Sequence, residues 1–454
     1  MSTSEMTYVQ HGRAVLVLGL PLVGGHLAQF AIGLTDSIMM GWYGVAELAA
    51  MTLAGSLFFS LLLFGSGFAF AVMPMVADYA TKNDDQQIRR ATRMALWWSG
   101  LFFAAVMPLM WFSGTLLSAV GQEDSVAQNA QTYLRIAGWG MLPALGVMVL
   151  KSYLAGLEHT RIVLWITVAS AVVNAFANYA LIFGNWGAPE LGLQGAAIAS
   201  VLSTAAGLLL TILYALRKLP HHQLFVRFWK SDGEMFARIF RLGLPIGLTT
   251  LAEVALFAIS AVLMGWLGEV PLAAHGAALQ IASATFMMHV GLSNAATIRA
   301  GNAKGRQDAG HLIKGAKVVT FLSLCLVAMA TSAFLLFPET LLGIFFDPKE
   351  EQLDELLRIG TILLALAALF QLVDAMQVIH LGLLRGLLDT QVPMIMAAIA
   401  YWGIGLPSAY IFGFVVDWGA AGIWIGLVLG LAVAAALLMY RFWTKGAGPL
   451  FVEK

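Results

Sequence analysis

The chain has 454 residues, 60% of them hydrophobic and only 11% charged, and its 25 basic and 25 acidic residues leave no formal net charge. Soluble domains carry roughly 25% charged residues, so the composition excludes an ordinary soluble protein and points to a chain that faces lipid. The zero sum says little beyond that, because in a membrane protein the placement of charge matters more than its total.

A bilayer core about 30 Å thick needs about 20 apolar residues per helix. Taken in chain order, the stretches of that length fall near 14-41, 48-77, 94-119, 134-156, 162-184, 192-216, 242-268, 272-298, 318-337, 359-384, 393-416 and 419-440. Strands of a membrane β-barrel alternate over about ten residues, whereas these runs are continuous and longer, so an all-α polytopic membrane protein with twelve transmembrane helices is predicted. The opening MSTSEMTYVQHGR lacks the cationic start of a cleavable signal, and the first span is expected to persist in the mature protein. Cys325 is the only cysteine, which rules out an intramolecular disulfide or a cysteine-based metal cluster.

Basic residues gather in alternate connections: Lys82, Arg89, Arg90 and Arg93 after span 2, Arg217 to Arg241 after span 6, and Arg299 to Lys317 after span 8. The opposite loops carry mainly acids, with Arg135, Lys349 and Arg358 as their few cations. The positive-inside rule then puts both termini in the cytoplasm. Sliding the chain by 224 residues brings LP at 20-21 onto LP at 244-245 and MGW at 40-42 onto MGW at 264-266. The predicted organisation is two six-helix lobes related by a parallel repeat: 1-217, a cytoplasmic linker 218-241, and 242-454. Two like halves around a cleft can open alternately to either side, which is the usual use of such duplication in transporters.

Three carboxylates lie well inside the apolar runs: Asp36 in span 1, Glu253 in span 7 and Asp374 in span 10. On this reading no Lys or Arg lies comparably deep. A charge at the bilayer centre costs on the order of 2.5–3.5 kcal/mol on the insertion scale, and such groups pair or line a wet cavity. A partner arriving from solution, whether a proton, a metal cation or a cationic substrate, therefore fits. The alternative is a protonated side chain bonded to a neighbouring helix. Asn174 and Asn178 in span 5 share a helix face and, with Asp36, can surround a sodium ion or a protonated acid; helix packing is their alternative. Gln371, Asp374 and Gln377 stripe one side of span 10, and Gln280 and His289 in span 8 are candidates for the same cleft. Pro21, fifteen residues before Asp36, removes a helix hydrogen bond and favours a bend.

LP at 20-21, TDSIMMGWYG at 35-44, Asn174 with Asn178, Glu253 and Asp374 together resemble the multidrug and toxic compound extrusion (MATE) family, in its NorM-like bacterial branch, over nearly the whole chain. The resemblance implies a multi-pass inner-membrane antiporter, not an enzyme, that exports cationic amphipathic drugs and dyes in exchange for sodium ions or protons. It implies a first-lobe cation or proton site at Asp36, Asn174 and Asn178, and a second-lobe site for cation, proton or substrate around Glu253 and Asp374. Gln280 and Gln371 are placed with the second group, and Pro21 matches the family's bending proline. A sodium ion at either group is one outcome and a proton the other; Phe370 stands where many NorM-like proteins have a tyrosine. Partners are organic cations and membrane lipids, with no nucleic acid and no cofactor, and a monomer is expected. The rivals are a lipid-linked saccharide flippase of the same superfamily, which would need basic groups for its phosphate, and a membrane-embedded enzyme using the intramembrane acids. Neither Asp36 nor Asp374 sits in a glycine-flanked catalytic motif.

Overall fold

The computed structural model describes residues 6–119, 121–346 and 352–446, so Lys349 of the sequence reading lies outside it. Among the described residues there is no strand, and twelve helices are long and apolar enough to cross a membrane. They are α1 (Tyr8–Tyr43), α2 (Val45–Thr81), α3 (Asp85–Trp111), α4 (Asp124–Gly156), α5 (Thr160–Phe183), α6 (Leu193–Lys218), α7 (Gly233–Leu267), α8 (Glu269–Arg306), α9 (Ala309–Leu336), α10 (Leu353–Gly386), α11 (Gln391–Val415) and α12 (Gly419–Gly446). Each runs through one predicted stretch, and most continue past it, because helical hydrogen bonding carries on into polar ends that hydropathy does not register. The third is displaced: α3 stops at Trp111, and a short helix at Ser113–Ala119 takes up the remainder.

Local chemistry sets several ends. Asp84 caps α3 by accepting from the Gln87 amide at 3.1 Å, and Asp308 caps α9 by accepting from the His311 amide at 2.8 Å. Gly184, at φ 70°, closes α5 in the left-handed conformation that glycine adopts without steric cost. Pro21 lies within α1 and Pro245 within α7, and both helices run on through them. Exposed aromatics near helix ends, among them Trp42, Trp186, Trp266, Trp418 and Tyr440, suit the amphipathic interface of a bilayer.

Internal contacts divide the chain into two units, Gly24–Gly247 and Met1–Val23 with Leu248–Lys454. The boundaries differ from the expected 1-217, 218-241 and 242-454: α1 and α7 each contribute to both units, and the connection 218-241 belongs to the first of them. Small residues explain the exchange. In one unit a Cβ on Gly67 of α2 would strike the backbone of Gly243 and Gly247 in α7; in the other, a Cβ on Gly291 of α8 would strike Val23 in α1. Gly67 and Gly291 are 224 residues apart, as are Val23 and Gly247, so the repeat builds the same tight crossing twice. Close backbone approach at small residues is how membrane helices gain packing without a hydrophobic driving force.

The connection after α6 is strapped to α3. Arg89 donates to the Gln223 side chain, Arg93 to the carbonyls of Gln223, Leu224 and Val226, Trp97 to Phe228 O and Trp98 to Phe236 O. Arg90 holds both oxygens of Asp232, at 2.5 and 3.0 Å, and reaches Glu234 at 2.9 Å. A fork of this geometry is the stronger form of ion pair. The basic residues that the sequence marks as an orientation signal therefore also hold the linker in place.

Two outcomes follow. Gly67→Leu forces a side chain into the α7 backbone and is expected to destabilise the protein by about 3 kcal/mol, read as a lower thermal midpoint in detergent; an unchanged midpoint would contradict the crossing. Hydrogen bonds from Arg90 hold the Asp232 carboxyl below the usual carboxylate range. Its folded value is depressed, so its stabilisation is present above the unfolded value of about 3.9 and is lost as pH falls through the folded one. Acidification below about pH 4 should remove roughly 1 kcal/mol from the wild type, and Arg90→Ala should abolish that increment of the pH dependence.

Candidate functional site

The first acid group lies within Gly24–Gly247. Asp36 on α1 is half-buried, while Asn174 and Asn178 on α5 are fully buried. Asn178 Nδ2 donates to Asp36 Oδ1 at 2.5 Å and to Asn174 Oδ1 at 3.2 Å, which joins all three predicted residues. That leaves Asn178 Oδ1 buried without a hydrogen-bond partner. Tyr133 on α4, absent from the sequence candidates, is buried within the field of Asp36. The i, i+4 spacing on α5 was readable in the sequence, whereas nothing in spacing ties α4 to α1.

The second group lies in the unit containing Leu248–Lys454. Asp374 on α10 is buried and Glu253 on α7 is half-buried, and the two are close enough to repel each other as anions. Gln371 and Gln377 flank Asp374 and are fully buried. Gln371 Nε2 donates to Ala282 O at 2.9 Å and Thr285 Oγ1 at 2.5 Å, tying α10 to α8. Gln377 Nε2 donates to the Tyr401 hydroxyl at 2.5 Å. One oxygen on each of Gln371, Asp374 and Gln377 is buried with no hydrogen-bond partner. Gln280 on α8 is exposed rather than buried with them. His289 shares a hydrogen bond with Ser323 at 2.9 Å, in keeping with its packing alternative.

Phe370 packs edge-on against Phe257 and Trp424. Tyr401 of α11, whose hydroxyl accepts from Gln377, lies in the field of both acids. Tyr401 sits on a π-helical turn, Ile399–Gly405, a distortion frequent at functional sites. Sequence spacing misses it because it comes from a different helix.

One expectation is corrected. Arg385, near the end of α10, reaches far enough in for its charge to act on Glu253, and Lys151 on α4 lies close enough to His26 on α1 for their charges to interact. Both cations fall near the ends of apolar runs, where sequence depth is a poor guide: a long side chain carries its charge several ångströms from its own Cα.

Carboxylates with amide and phenol oxygens form a hard donor set. Such a set suits a proton or an alkali cation better than a soft transition metal. The buried unpartnered oxygens of Asn178 and Asp374 are the specific places where a cation would complete the hydrogen-bonding account.

The MatE family model matches residues 21–180 and again 245–411, two segments whose starts are 224 residues apart. A protein of Rhizobium meliloti (strain 1021) named "Probable multidrug resistance protein NorM" is 44% identical over 444 residues, covering 97% of this chain and 95% of that protein. One of Agrobacterium fabrum with the same name is 41% identical, covering 96% and 94%. Among solved structures, the eukaryotic MATE transporter AtDTX14 superposes with a TM-score of 0.86 at 18% identity, covering 98% of each chain, which shows the shared fold. With its twelve membrane helices, its doubled family match and these near-full-length relatives, the chain belongs to the MatE family.

Proposed function

We propose that the protein is a multidrug efflux transporter of the bacterial inner membrane, with both termini cytoplasmic, exporting cationic amphipathic compounds in exchange for a proton or a sodium ion. The observation that carries the reading is the Asp36–Asn178–Asn174 group: a carboxylate within a membrane helix, bonded only by neutral amides, beside a buried oxygen that lacks a partner. Desolvation favours the neutral carboxyl and a bound cation favours the carboxylate, so such a group exchanges one for the other as it is opened to either side of the membrane. Glu253 and Asp374, whose mutual repulsion a cation relieves, supply a second place for the coupling ion or the cargo. Pro21 removes a backbone bond from α1 and gives the helix a compliant point through which the state of Asp36 can act.

The names of the relatives support drug export. Lys151 and Arg385 lend the flippase reading one argument, a basic group for a phosphate. The acid groups in both units favour cationic cargo.

The decisive measurement is movement of a cationic dye in proteoliposomes, with sodium and pH gradients imposed separately. Dye movement driven by one gradient establishes antiport and names the ion; no movement under either would overturn the reading and bring lipid cargo forward. Asp36→Asn should abolish driven movement while leaving the folded yield intact. Asn178 donates to the Asp36 carboxylate and favours its charged form, and such a bond is worth about 1.5–3 kcal/mol. Asn178→Ala is therefore expected to shift coupling-ion affinity roughly ten- to a hundredfold, towards tighter binding for a proton and weaker binding for a sodium ion that loses the Asn178 oxygen, measured as a shift in the ion concentration for half-maximal exchange.

A further inference from the structure

Away from the membrane acids, Asp85 at the start of α3 meets His221 and His222 in the turn that follows α6. One ligand atom from each lies within 4.8 Å of the other two. His222 is buried, and Asp85 and His221 are exposed. The His222 ring is held from both sides: its Nδ1 shares a 2.5 Å hydrogen bond with the Tyr153 hydroxyl, and its Nε2 lies 3.4 Å from Asp85 Oδ1. The two imidazoles stand 4.2 Å apart, centroid to centroid.

We propose that Asp85, His221 and His222 form a binding site for a divalent transition-metal ion of the zinc class, with solvent completing its coordination. Two imidazoles and a carboxylate are the donor set such ions favour, whereas magnesium and calcium prefer oxygen alone. The Tyr153 hydroxyl accepts from Nδ1–H when His222 Nε2 is the ligand, which is the outer-shell contact that fixes a ligating histidine's tautomer and ring orientation. The exposed Asp85 and His221 need only side-chain rotation to close around an ion. A bound metal staples the turn at Pro220–His222 to the start of α3, beside the arginine strap described above. The alternative is that the Asp85–His222–Tyr153 chain is a pin without an ion.

The test uses the full chain purified in detergent without a polyhistidine tag and stripped with a chelator. Zinc chloride is titrated by calorimetry and cobalt(II) chloride by visible absorption. One saturable zinc per chain, with the visible bands of four-coordinate cobalt(II), is expected, and excess magnesium should not compete. His221→Ala and Asp85→Asn, both at exposed positions, should each weaken zinc binding at least tenfold. Tyr153→Phe should weaken it roughly ten- to a hundredfold. Zinc should raise the thermal midpoint of the wild type but not of His221→Ala. Absence of saturable binding, or binding unchanged in both exposed-site variants, overturns the proposal and leaves the pin.

Discussion

A carboxylate inside a membrane helix must be given something other than lipid to face. That constraint organises this protein. Asp36 has no helix-local partner, so α5 has to bring Asn178 to it and α4 has to place Tyr133 in its field. Asp374 likewise depends on α7 for Glu253 and on α11 for Tyr401. A charge costing several kcal/mol in hydrocarbon thus requires partners from neighbouring helices.

The packing that permits this is made by absence of side chain. Lipid tails are as apolar as leucine, so membrane helices associate through close contact and hydrogen bonds. Gly67 and Gly291 let α2 and α8 reach the backbones of α7 and α1, and the result is that α1 and α7 each contribute to both units. Pro21 and Pro245 lie close to the points where those two helices pass from one unit to the other. A helix weakened near such a passage is where a change at Asp36 can be felt as a change of shape, which is the physical content of the proposed exchange.

The two groups share a plan without sharing residues. Each sets a carboxylate among amides and a tyrosine, from three helices in one case and two in the other: Asp36 on α1 with Asn178 on α5 and Tyr133 on α4, and Asp374 with Gln377 on the same α10 and Tyr401 on α11. Duplication passed on the helix arrangement but not the acid positions: Asp36 lies on α1, Glu253 at a different depth on α7, the repeat copy of α1, and Asp374 on α10. Cationic side chains follow the same economy. Arg89, Arg90 and Arg93, an orientation signal in sequence, are also the donors that hold the connection after α6 against α3.

Sequence by itself determined the number of membrane helices, the 224-residue repeat and the intramembrane acids, because hydropathy over about 20 residues and the cost of buried charge are properties of local composition. It also determined that Asn174 and Asn178 share a face, since 3.6 residues per turn is a local rule. Only the tertiary structure decided what meets what: that Asn178 binds Asp36, that Gln377 binds the Tyr401 hydroxyl, that Arg385 reaches Glu253 and that Gln280 stays exposed. It also decided that α1 and α7 are divided between the units. Those facts depend on contacts between residues tens to hundreds of positions apart, and no periodicity within a helix encodes which face of another helix it will meet.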